Sequence, residues 1–499
     1  MKRSRSFAVL LFVLVSACLS PESQALTVAS KKFTEGVILG EMARQMLERD
    51  DMEVRHRREL GGTRILWSAL VRGDIDVYPE YTGTLKNEIF AGEGISDMEE
   101  LRRVLEQHGI GMTESLGFNN TYVLGMVWNR AERLNITRIS DLKRYPKLRF
   151  GLSDEFMDRE DGWPALREHY GLPHEGVRGL DHDLAYRGLA ADRLDVVDLY
   201  STDAEIQYYD IRPLVDDRDF FPDYHAVFLY RLEAARQYPE NFQRLRKLEG
   251  SLDEHHMSIL NARVKVQHQP EGSVAADFIW ENFGQETRVP TSSRLDRFLT
   301  NTVDHLFMVA VSLLAAVVIA IPLGIAAARY RRLGQVILGG AGIIQTIPAL
   351  ALLVFMIPLF GIGAEPAIAA LFLYSLLPII RNTCSGLQDI PASLRDSAVV
   401  LGLPPLARLR MVELPLAMRS ILTGIKISAV INIGTATLGA LIGAGGYGQP
   451  ILTGIRLDDI KLIMEGAVPA AVLALLVQGF FELLERYMLP RGLRLKSEA

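Results

Sequence analysis

The chain has 499 residues, a net charge of −6 and a mean hydropathy of +0.13. This length leaves room for two or three domains, and the mild charge argues against nucleic-acid binding, which needs a strongly basic surface. The mean hydropathy is too high for an ordinary soluble protein, so we expect part of the chain to lie in a membrane.

The first 25 residues have the composition of an export signal. Three basic residues among the first five precede a short apolar core at 7–17, and a core of this kind suits a signal peptide better than a membrane span. Lipoprotein processing at Cys18, ordinary cleavage after Ala25 and an uncleaved anchor helix all remain open. Each of the three places residues from 26 onward outside the cytoplasm.

Residues 26–288 alternate between short strands and helices. "LTVASKK" predicts the first strand, and the helix that follows is predicted to have Thr34 as its N-cap. Further strands are predicted at MEVRHRREL, IDVYPEY, NTYVLGMVW, LRFGLS and LDVVDLYS, and further helices at GTRILWSALVRGD and SDMEELRRVLEQHG. This alternation indicates an α/β domain. The domain has no cysteine, so its core alone must stabilise it.

A segment with proline and serine, 289–300, is predicted to link this domain to a transmembrane domain at 301–490. Because a span needs about 20 mostly apolar residues, we predict five spans, at 303–328, 335–360, 366–386, 416–442 and 466–488. The loops that then fall inside carry most of the arginines, as the positive-inside rule requires. Residues 491–499 are predicted to form a cytoplasmic tail.

The long inside loop contains the stretch "LRDSAVVLGLPPLARLRMVELPLA", which resembles the coupling loop E-A-A-x-x-x-G-x9-I-x-L-P of ABC importer permeases. Ala398, Gly402, Leu414 and Pro415 match that pattern, whereas Asp396 stands where the family has Glu and leaves the acid one carbon shorter. The resemblance implies that this loop receives the motion of an ATPase.

Both halves of the chain resemble parts of osmoprotectant importers for glycine betaine, choline or carnitine. In the membrane half "IIQTIPALALL", "LYSLLPIIRNT" and "ATLGALIGAGGYGQPI" are similar to their permeases. The exported half is similar to their solute-binding proteins through "SKKFTEG", "DVYPEYTGT", "FNNTYVLG", "FMDREDGW", "LYSTDAEI" and "FPDYHAV", in that order.

The resemblance implies a fold for each half. The first half would be a two-lobed α/β domain like the type II periplasmic binding proteins, with one lobe at 26–117 plus 225–285 and the other at 118–224. An all-α transmembrane domain of about five helices, like the permeases of type I ABC importers, would follow it.

The resemblance also implies a binding site. Hydrogen bonds cannot hold a quaternary ammonium because it has no N–H group, but aromatic faces can attract it. The family's cage residues correspond to Tyr81, Tyr122, Tyr200 and Tyr224, which we call the tyrosine cage. Lys31, Thr84 and Arg159 would grip a solute carboxylate. Gly36 stands where the family often has glutamine.

We therefore expect a fused binding and permease subunit of an ABC importer in the bacterial inner membrane. The chain has no G-x-x-x-x-G-K-[ST] phosphate loop, so ATP and magnesium would belong to a separate ATPase subunit. The family implies two copies of this chain, with no cofactor, metal or catalytic residue of its own. Alternatives left open are import of another small solute, such as ergothioneine or an amino acid, and a ligand-gated channel; an enzyme is disfavoured because no nucleophile or metal motif stands out.

Overall fold

The computed structural model describes residues 25–49, 52–95, 97–159, 161–289 and 293–488. The described residues form two compact units, an α/β unit that ends at Val289 and a helical unit that follows it. The predicted signal segment, except Ala25, and the predicted tail 491–499 lie outside the described residues.

In the described part of the α/β unit, ten strands form the sheets. Their bounds are β1 Leu26–Ala29, β2 Val54–Arg57, β3 Val77–Tyr81, β4 Ile110–Met112, β5 Tyr122–Val127, β6 Gly151–Ser153, β7 Arg178–Leu180, β8 Val197–Tyr200, β9 Ile211–Pro213 and β10 Ala226–Arg231. One five-stranded sheet has the order β2-β1-β3-β10-β4, a three-stranded sheet has the order β8-β5-β9, and β6 pairs with β7. The five-stranded sheet forms lobe 1 and the two smaller sheets form lobe 2, so the predicted two-lobed α/β fold is confirmed.

Among the residues that the structure describes up to Val289, twelve helices pack around these sheets. They are α1 Thr34–Leu47, α2 Thr63–Arg72, α3 Met98–Gln107, α4 Trp128–Arg133, α5 Asp154–Asp158, α6 Trp163–Tyr170, α7 His182–Ala190, α8 Glu205–Tyr208, α9 Leu232–Gln237, α10 Pro239–Leu245, α11 Glu254–Lys265 and α12 Glu271–Phe283. Short helical turns occupy Thr82–Thr84, Leu85–Ile89, Ile139–Arg144 and Arg246–Leu248.

Helix α1 is buried on every side, because α10, α11 and α12 all pack against it. Its N-cap is Phe33, with an extended backbone, and Thr34 is the first helical residue. The prediction that Thr34 caps the helix was therefore wrong by one position. The reason is that the Phe33 ring folds back over Gly36, which places Phe33 itself at the turn into the helix.

The chain passes between the lobes twice, once between β4 and β5 and once between β9 and β10. Where the two passages meet, Asn119 and His225 pair as an isolated antiparallel bridge. Two neighbouring connections allow the lobes to rotate about them as a hinge, which is the geometry of domains that close around a ligand.

Between residues 293 and 488, the described part of the helical unit, there are nine further helices. They are α13 Arg294–Arg329, α14 Arg331–Thr346, α15 Ala349–Phe360, α16 Ala364–Gln388, α17 Ala392–Val400, α18 Pro405–Arg408, α19 Leu414–Ala436, α20 Gly448–Arg456 and α21 Ile460–Met488. Short turns at Leu409–Glu413 and Thr437–Ile442 flank α19. Four helical stretches of the described chain are long and apolar enough to cross a membrane, and α14 with α15 would make a fifth.

The second predicted span, 335–360, is not one straight helix, and the proline at position 348 predicts a bend within it. Its two halves, α14 and α15, meet at an angle of 100°. Pro348 stands at the break, where it has no N–H to donate and disfavours a helical conformation at Ile347. Tyr374 of α16 donates to the carbonyl of Ile347 and so satisfies a group that the break leaves free.

The predicted linker 289–300 is helical from Arg294 onward, so only its first part can connect the two units. Ser293 and Asp296 form a capping box, each side chain accepting from the other's backbone N–H at 3.1 Å. Such a reciprocal cap starts a helix several residues before the apolar run begins.

Polar side chains join the three central helices of this unit. The amide of Asn432 on α19 donates to the hydroxyls of Ser312 on α13, at 3.1 Å, and of Ser375 on α16, at 2.9 Å. All three side chains are fully buried. In an apolar surrounding such contacts fix how neighbouring helices register against one another.

Candidate functional site

Three of the four predicted cage tyrosines lie in direct contact. Tyr122 on β5 and Tyr200 on β8 are register partners in the sheet of lobe 2, and their ring centroids are 5.2 Å apart. Tyr224, which precedes β10, meets Tyr122 edge to face at 5.7 Å. The ends of two strands and one passage between the lobes thus present their aromatic faces to the same place.

Tyr81 joins this group through a residue that the sequence analysis missed. The ring of Phe33 lies 6.1 Å from that of Tyr81 and 5.6 Å from that of Tyr200, so it connects lobe 1 to lobe 2. Gly36 leaves the space that this arrangement needs, since a Cβ there would lie 3.0 Å from the Phe33 ring. Where the family often has a glutamine side chain, this protein has the ring of Phe33.

Lys31 and Arg159 are both buried, and both already contact carboxylates of the chain. The Lys31 ammonium lies 2.5 Å from Glu80 and 5.8 Å from the centroid of the Tyr81 ring. Arg159 donates two bonds to Asp161, at 2.7 and 2.6 Å. This bidentate pairing fixes the plane of the guanidinium.

The fixed guanidinium lies over the tyrosine cage. The central carbon of Arg159 is 5.4 Å from the centroid of Tyr122 and 5.9 Å from that of Tyr224. These separations fall within the range of attraction between a cation and an aromatic face. In this structure an arginine of the protein therefore contacts two of the rings predicted to hold a cationic solute.

The remaining Arg159 nitrogen, Nη1, faces the other predicted carboxylate-binding group. It lies 3.5 Å from Oγ1 of Thr84 and 3.0 Å from Oε2 of Glu88. Burial and the nearby charge of Glu155 raise the pKa of the Glu88 carboxyl. Glu88 is thus held less firmly as an anion than a surface carboxylate would be.

A second buried carboxylate, Glu35, lies directly behind Tyr81. Its Oε1 accepts from the Tyr81 hydroxyl at 2.6 Å and from Asn120 at 2.8 Å. Its Oε2 accepts from the Thr202 hydroxyl at 2.5 Å and from Asn261 at 3.1 Å. Thr202 belongs to lobe 2 and the other partners to lobe 1 or the hinge, so this carboxylate connects the two lobes.

His182 lies against Tyr200, with the two rings stacked at 4.4 Å. Its Nε2 is 3.0 Å from Oδ2 of Asp203, which also accepts from the backbone of Tyr200 at 2.9 Å. Burial alone would lower the pKa of His182, but the hydrogen bond that it donates to Asp203 and the charges of Asp203 and Asp198 raise it to about 9. The imidazole is therefore protonated at neutral pH.

In the helical unit, the residues of the predicted coupling loop lie on α17, just after it and at the start of α19, with the short helix α18 between α17 and α19. Asp396 is exposed and Ala398 buried on α17. Gly402 has a φ of +75°, a conformation that residues with a side chain adopt only at a cost. Leu414 and Pro415 form the first turn of α19.

This loop exposes apolar side chains. Val400, Leu401 and Leu406 are 86%, 78% and 77% exposed. The C-terminal end of the loop contacts α13, because Glu413 forms an ion pair with Arg329 of α13 at 3.0 Å. Glu413 also pairs with Arg408 within the loop, at 3.2 Å. The loop thus has a fixed base and an exposed apolar surface.

Two α/β lobes around a hinge, with an aromatic cleft between them, define the α/β unit as a solute-binding domain, and the helical unit has the long apolar helices of a permease. Two family descriptions match the chain: "Substrate binding domain of ABC-type glycine betaine transport system" at 24–281, and "Binding-protein-dependent transport system inner membrane component" at 320–491. The chain belongs to the family of substrate-binding domains of ABC-type glycine betaine transport systems, here fused to a permease domain of the second family. The predicted fusion of the two functions in one chain is confirmed.

Individual relatives match one or the other part. The glycine betaine/carnitine/choline permease OpuCB of Bacillus subtilis is 39% identical over 196 residues, which are 39% of this chain and 90% of OpuCB. The choline permease OpuBB of Bacillus subtilis is 41% identical over 200 residues, 40% of this chain and 92% of OpuBB. The ergothioneine transport permease/binding protein EgtU of Helicobacter pylori is 33% identical over 288 residues, 55% of this chain and 52% of EgtU.

Among solved structures, one described as a glycine betaine/carnitine/choline ABC transporter is 28% identical. The match covers 51% of this chain and 98% of that one, with a TM-score of 0.44.

Proposed function

We propose that this chain captures a quaternary-ammonium solute in the tyrosine cage and carries it across the membrane through its helical unit. The observation that carries the proposal is the convergence of aromatic rings from both lobes, with Tyr122 and Tyr200 in contact at 5.2 Å and Phe33 joining Tyr81 to Tyr200. A cation among such faces gains about 0.5–2 kcal/mol per ring. Because the rings come from both lobes, a solute that contacts all of them favours the closed cleft.

The solute class follows from this chemistry and from the relatives. Glycine betaine, choline and carnitine, which name the permease relatives, all carry a trimethylammonium group. Ergothioneine, which names EgtU, carries the same group, so the match to EgtU favours it as a second candidate. The cage selects the shared head group, and the remainder of the cleft must distinguish the solutes.

A solute carboxylate would face Nη1 of Arg159 and the hydroxyl of Thr84. The other two donor nitrogens of Arg159 are taken by Asp161, whereas Nη1 faces Glu88 at 3.0 Å. A carboxylated solute would therefore exchange places with Glu88. Lys31, paired with Glu80 beside Tyr81, would complete this polar end of the cleft.

Energy for transport would come from ATP hydrolysed, with magnesium, by a separate subunit that docks on the loop 395–415. The exposed apolar residues of this loop, Val400, Leu401 and Leu406, suit a protein partner. We further propose that two copies of this chain pair in the inner membrane, with the α/β unit outside the cytoplasm. No cofactor within this chain is needed for that function.

The test is calorimetric titration of the purified full-length chain in lipid nanodiscs with choline, glycine betaine, carnitine, ergothioneine and several amino acids. We expect micromolar binding of at least one methylated ammonium, and binding weakened at least about tenfold, or 1.4 kcal/mol, by Tyr122→Ala and by Tyr200→Ala. Tyr208→Ala serves as the control, since Tyr208 is 62% exposed and lies outside the cage. Tight binding of an unmethylated amino acid that neither cage substitution alters would contradict the proposal.

A further inference from the structure

We propose that the buried Glu35 carboxylate is the negative charge that recognises the cationic head of the solute, and that it acts through the hydroxyl of Tyr81. This inference rests on the proposed function and assigns a specificity-determining residue to the same site. It depends on three features of Glu35: the donors around it, the absence of an ionic partner and its place behind the cage.

The donors around Glu35 fit an ionised carboxylate. Each of its two oxygens accepts two hydrogen bonds, one from a hydroxyl and one from an amide. The amide of Asn261 also donates to the carbonyl of Thr202 at 3.0 Å, which fixes its NH₂ group toward both acceptors. Burial, the largest effect, and the charge of Asp203 raise the pKa of Glu35, while the hydrogen bonds from Thr202, Tyr81 and Asn261 oppose this rise and stabilise the charged form.

Glu35 has no cationic partner among the described residues. The nearby basic side chains are engaged elsewhere, Lys31 with Glu80 and Arg159 with Asp161. Glu35 itself is only 2% exposed. A buried charge without an ionic partner is costly to the empty protein, and a cation that enters the neighbouring cage would offset that cost.

The position of Glu35 connects its charge to the cage at two points. The Tyr81 hydroxyl donates a hydrogen bond directly to Glu35. This hydrogen bond increases the electron density of the Tyr81 ring, and the ring therefore attracts a cation more strongly. On the other side, Thr202 lies two residues beyond Tyr200 and contributes its hydroxyl from lobe 2. The hydrogen bonds of Glu35 are therefore complete only when the lobes are closed around the cage.

The experiment compares each solute with a neutral isostere in which carbon replaces the ammonium nitrogen. Choline is paired with 3,3-dimethylbutan-1-ol, and glycine betaine with 3,3-dimethylbutanoate. The full-length chain in nanodiscs is titrated with both members of each pair, and the ratio of the two dissociation constants reports the recognition of positive charge alone. Variants are Glu35→Gln, which keeps the shape and an acceptor for Tyr81, and Tyr81→Phe, which leaves Glu35 in place but breaks the link.

We expect Glu35→Gln to reduce the preference for the charged solute at least about tenfold, with binding of the isostere little changed, and Tyr81→Phe to reduce it about threefold. A ratio that stays at the wild-type value in Glu35→Gln would overturn the inference, including the case in which both ligands weaken equally. If Glu35→Gln does not fold, the ratio of dissociation constants measured for Tyr81→Phe is used instead, and a wild-type value of that ratio would overturn the inference. Failure of the proposed function would look different, because the wild-type chain would then bind no methylated ammonium at all.

Discussion

The ammonium of Lys265 lies 2.6 Å from the carboxylate of Glu205, although the two residues belong to different lobes of the α/β unit. Asp183 of lobe 2 is a second partner of the same ammonium. One turn earlier on α11, Asn261 donates to the carbonyl of Thr202 at 3.0 Å. None of these contacts involves a residue of the tyrosine cage, so they stabilise closed lobes independently of the solute.

Lys265→Met should therefore weaken solute binding without altering the cage. The change leaves Asp183 and Glu205 without their shared cation in the closed state, and removing one partner of a buried ion pair costs about 3–5 kcal/mol. We expect the dissociation constant for the solute to rise at least tenfold, mainly through faster release, in stopped-flow measurements on the full-length chain. The ratio between a solute and its neutral isostere should stay constant.

Lys32→Met is the matched control for Lys265→Met. Lys32 also pairs across the lobes, with Asp181 at 2.7 Å, but both side chains are partly exposed. Exposed pairs contribute about 0–1 kcal/mol, so binding should change less than about fivefold. Equal effects of Lys32→Met and Lys265→Met would contradict the proposal that the ion pairs of Lys265 stabilise the closed lobes.

His182 predicts how stability depends on pH. Its pKa is about 9 in the folded protein against 6.5 for the free side chain, so the folded state binds the proton more tightly. The stabilisation from this group is complete below pH 6.5 and is lost as the pH rises through about 9. For a shift of this size the loss is about 3 kcal/mol.

The measurement is the apparent Tm of the full-length chain between pH 6 and pH 9.5, for the wild type and for His182→Gln. We expect the wild-type Tm to fall over this interval and the variant to start lower and to depend less on pH. Parallel curves for the two proteins would show that His182 is not the group responsible.

Phe33 should contribute to binding although no pattern in the sequence singled it out. Phe33→Leu keeps an apolar side chain but removes the ring between Tyr81 and Tyr200, so we expect binding of a methylated ammonium to weaken about fivefold, or roughly 1 kcal/mol. Gly36→Ala should also weaken binding, because the new Cβ would lie 3.0 Å from the Phe33 ring and would displace that ring. Calorimetry measures both variants. Unchanged affinity in Phe33→Leu would remove Phe33 from the site.

Glu88 should control the preference between carboxylated and uncarboxylated solutes. It faces Nη1 of Arg159 at 3.0 Å, where it competes with a solute carboxylate. Glu88→Gln removes the competing charge, so we expect glycine betaine to bind about threefold or more tightly and choline to bind no better. Glu93→Gln, which changes an exposed acid nearby, should leave both affinities as they are. Weaker glycine betaine binding in Glu88→Gln would exclude this role.

Much of the fold could be predicted because it depends on local pattern. The alternation of strands and helices located β1, β3, β5 and β8 in the α/β unit, and the apolar runs located the long helices of the second unit. A bend in the second span could be predicted from Pro348, but its angle of 100° could not, because the angle depends on how the two halves pack in the tertiary structure.

The site was predicted in part because its tyrosines stand in recognisable motifs. Glu35 and Phe33 lie in one of these motifs, "SKKFTEG", but their roles depend on contacts with Thr202 and Tyr200, more than 160 positions away. Likewise, nothing in the sequence near Arg159 indicated that Glu88 would occupy the nitrogen left free by Asp161. Partners brought together by the tertiary fold cannot be inferred from spacing along the chain.

Gly402→Ala should separate transport from solute binding. Gly402 has a φ of +75° at the turn that follows α17, and a side chain in this conformation costs about 1–2 kcal/mol. No atom lies within 4 Å of where its Cβ would be, so the cost is in the backbone alone, and the turn that presents Leu401 and Leu406 would shift. We expect ATP-driven uptake into liposomes, reconstituted with the ATPase subunit, to fall at least about fivefold, while solute binding stays at the wild-type value.

Gly339→Ala is the control for this change, since Gly339 lies on α14 with open space around it and an ordinary helical backbone. It should leave both binding and uptake unchanged. Because the tyrosine cage and Gly402 lie in different units of the chain, a loss of uptake with intact binding would assign Gly402 to the step in which the ATPase moves the helices. Normal uptake in Gly402→Ala would instead show that the left-handed turn is dispensable for transport.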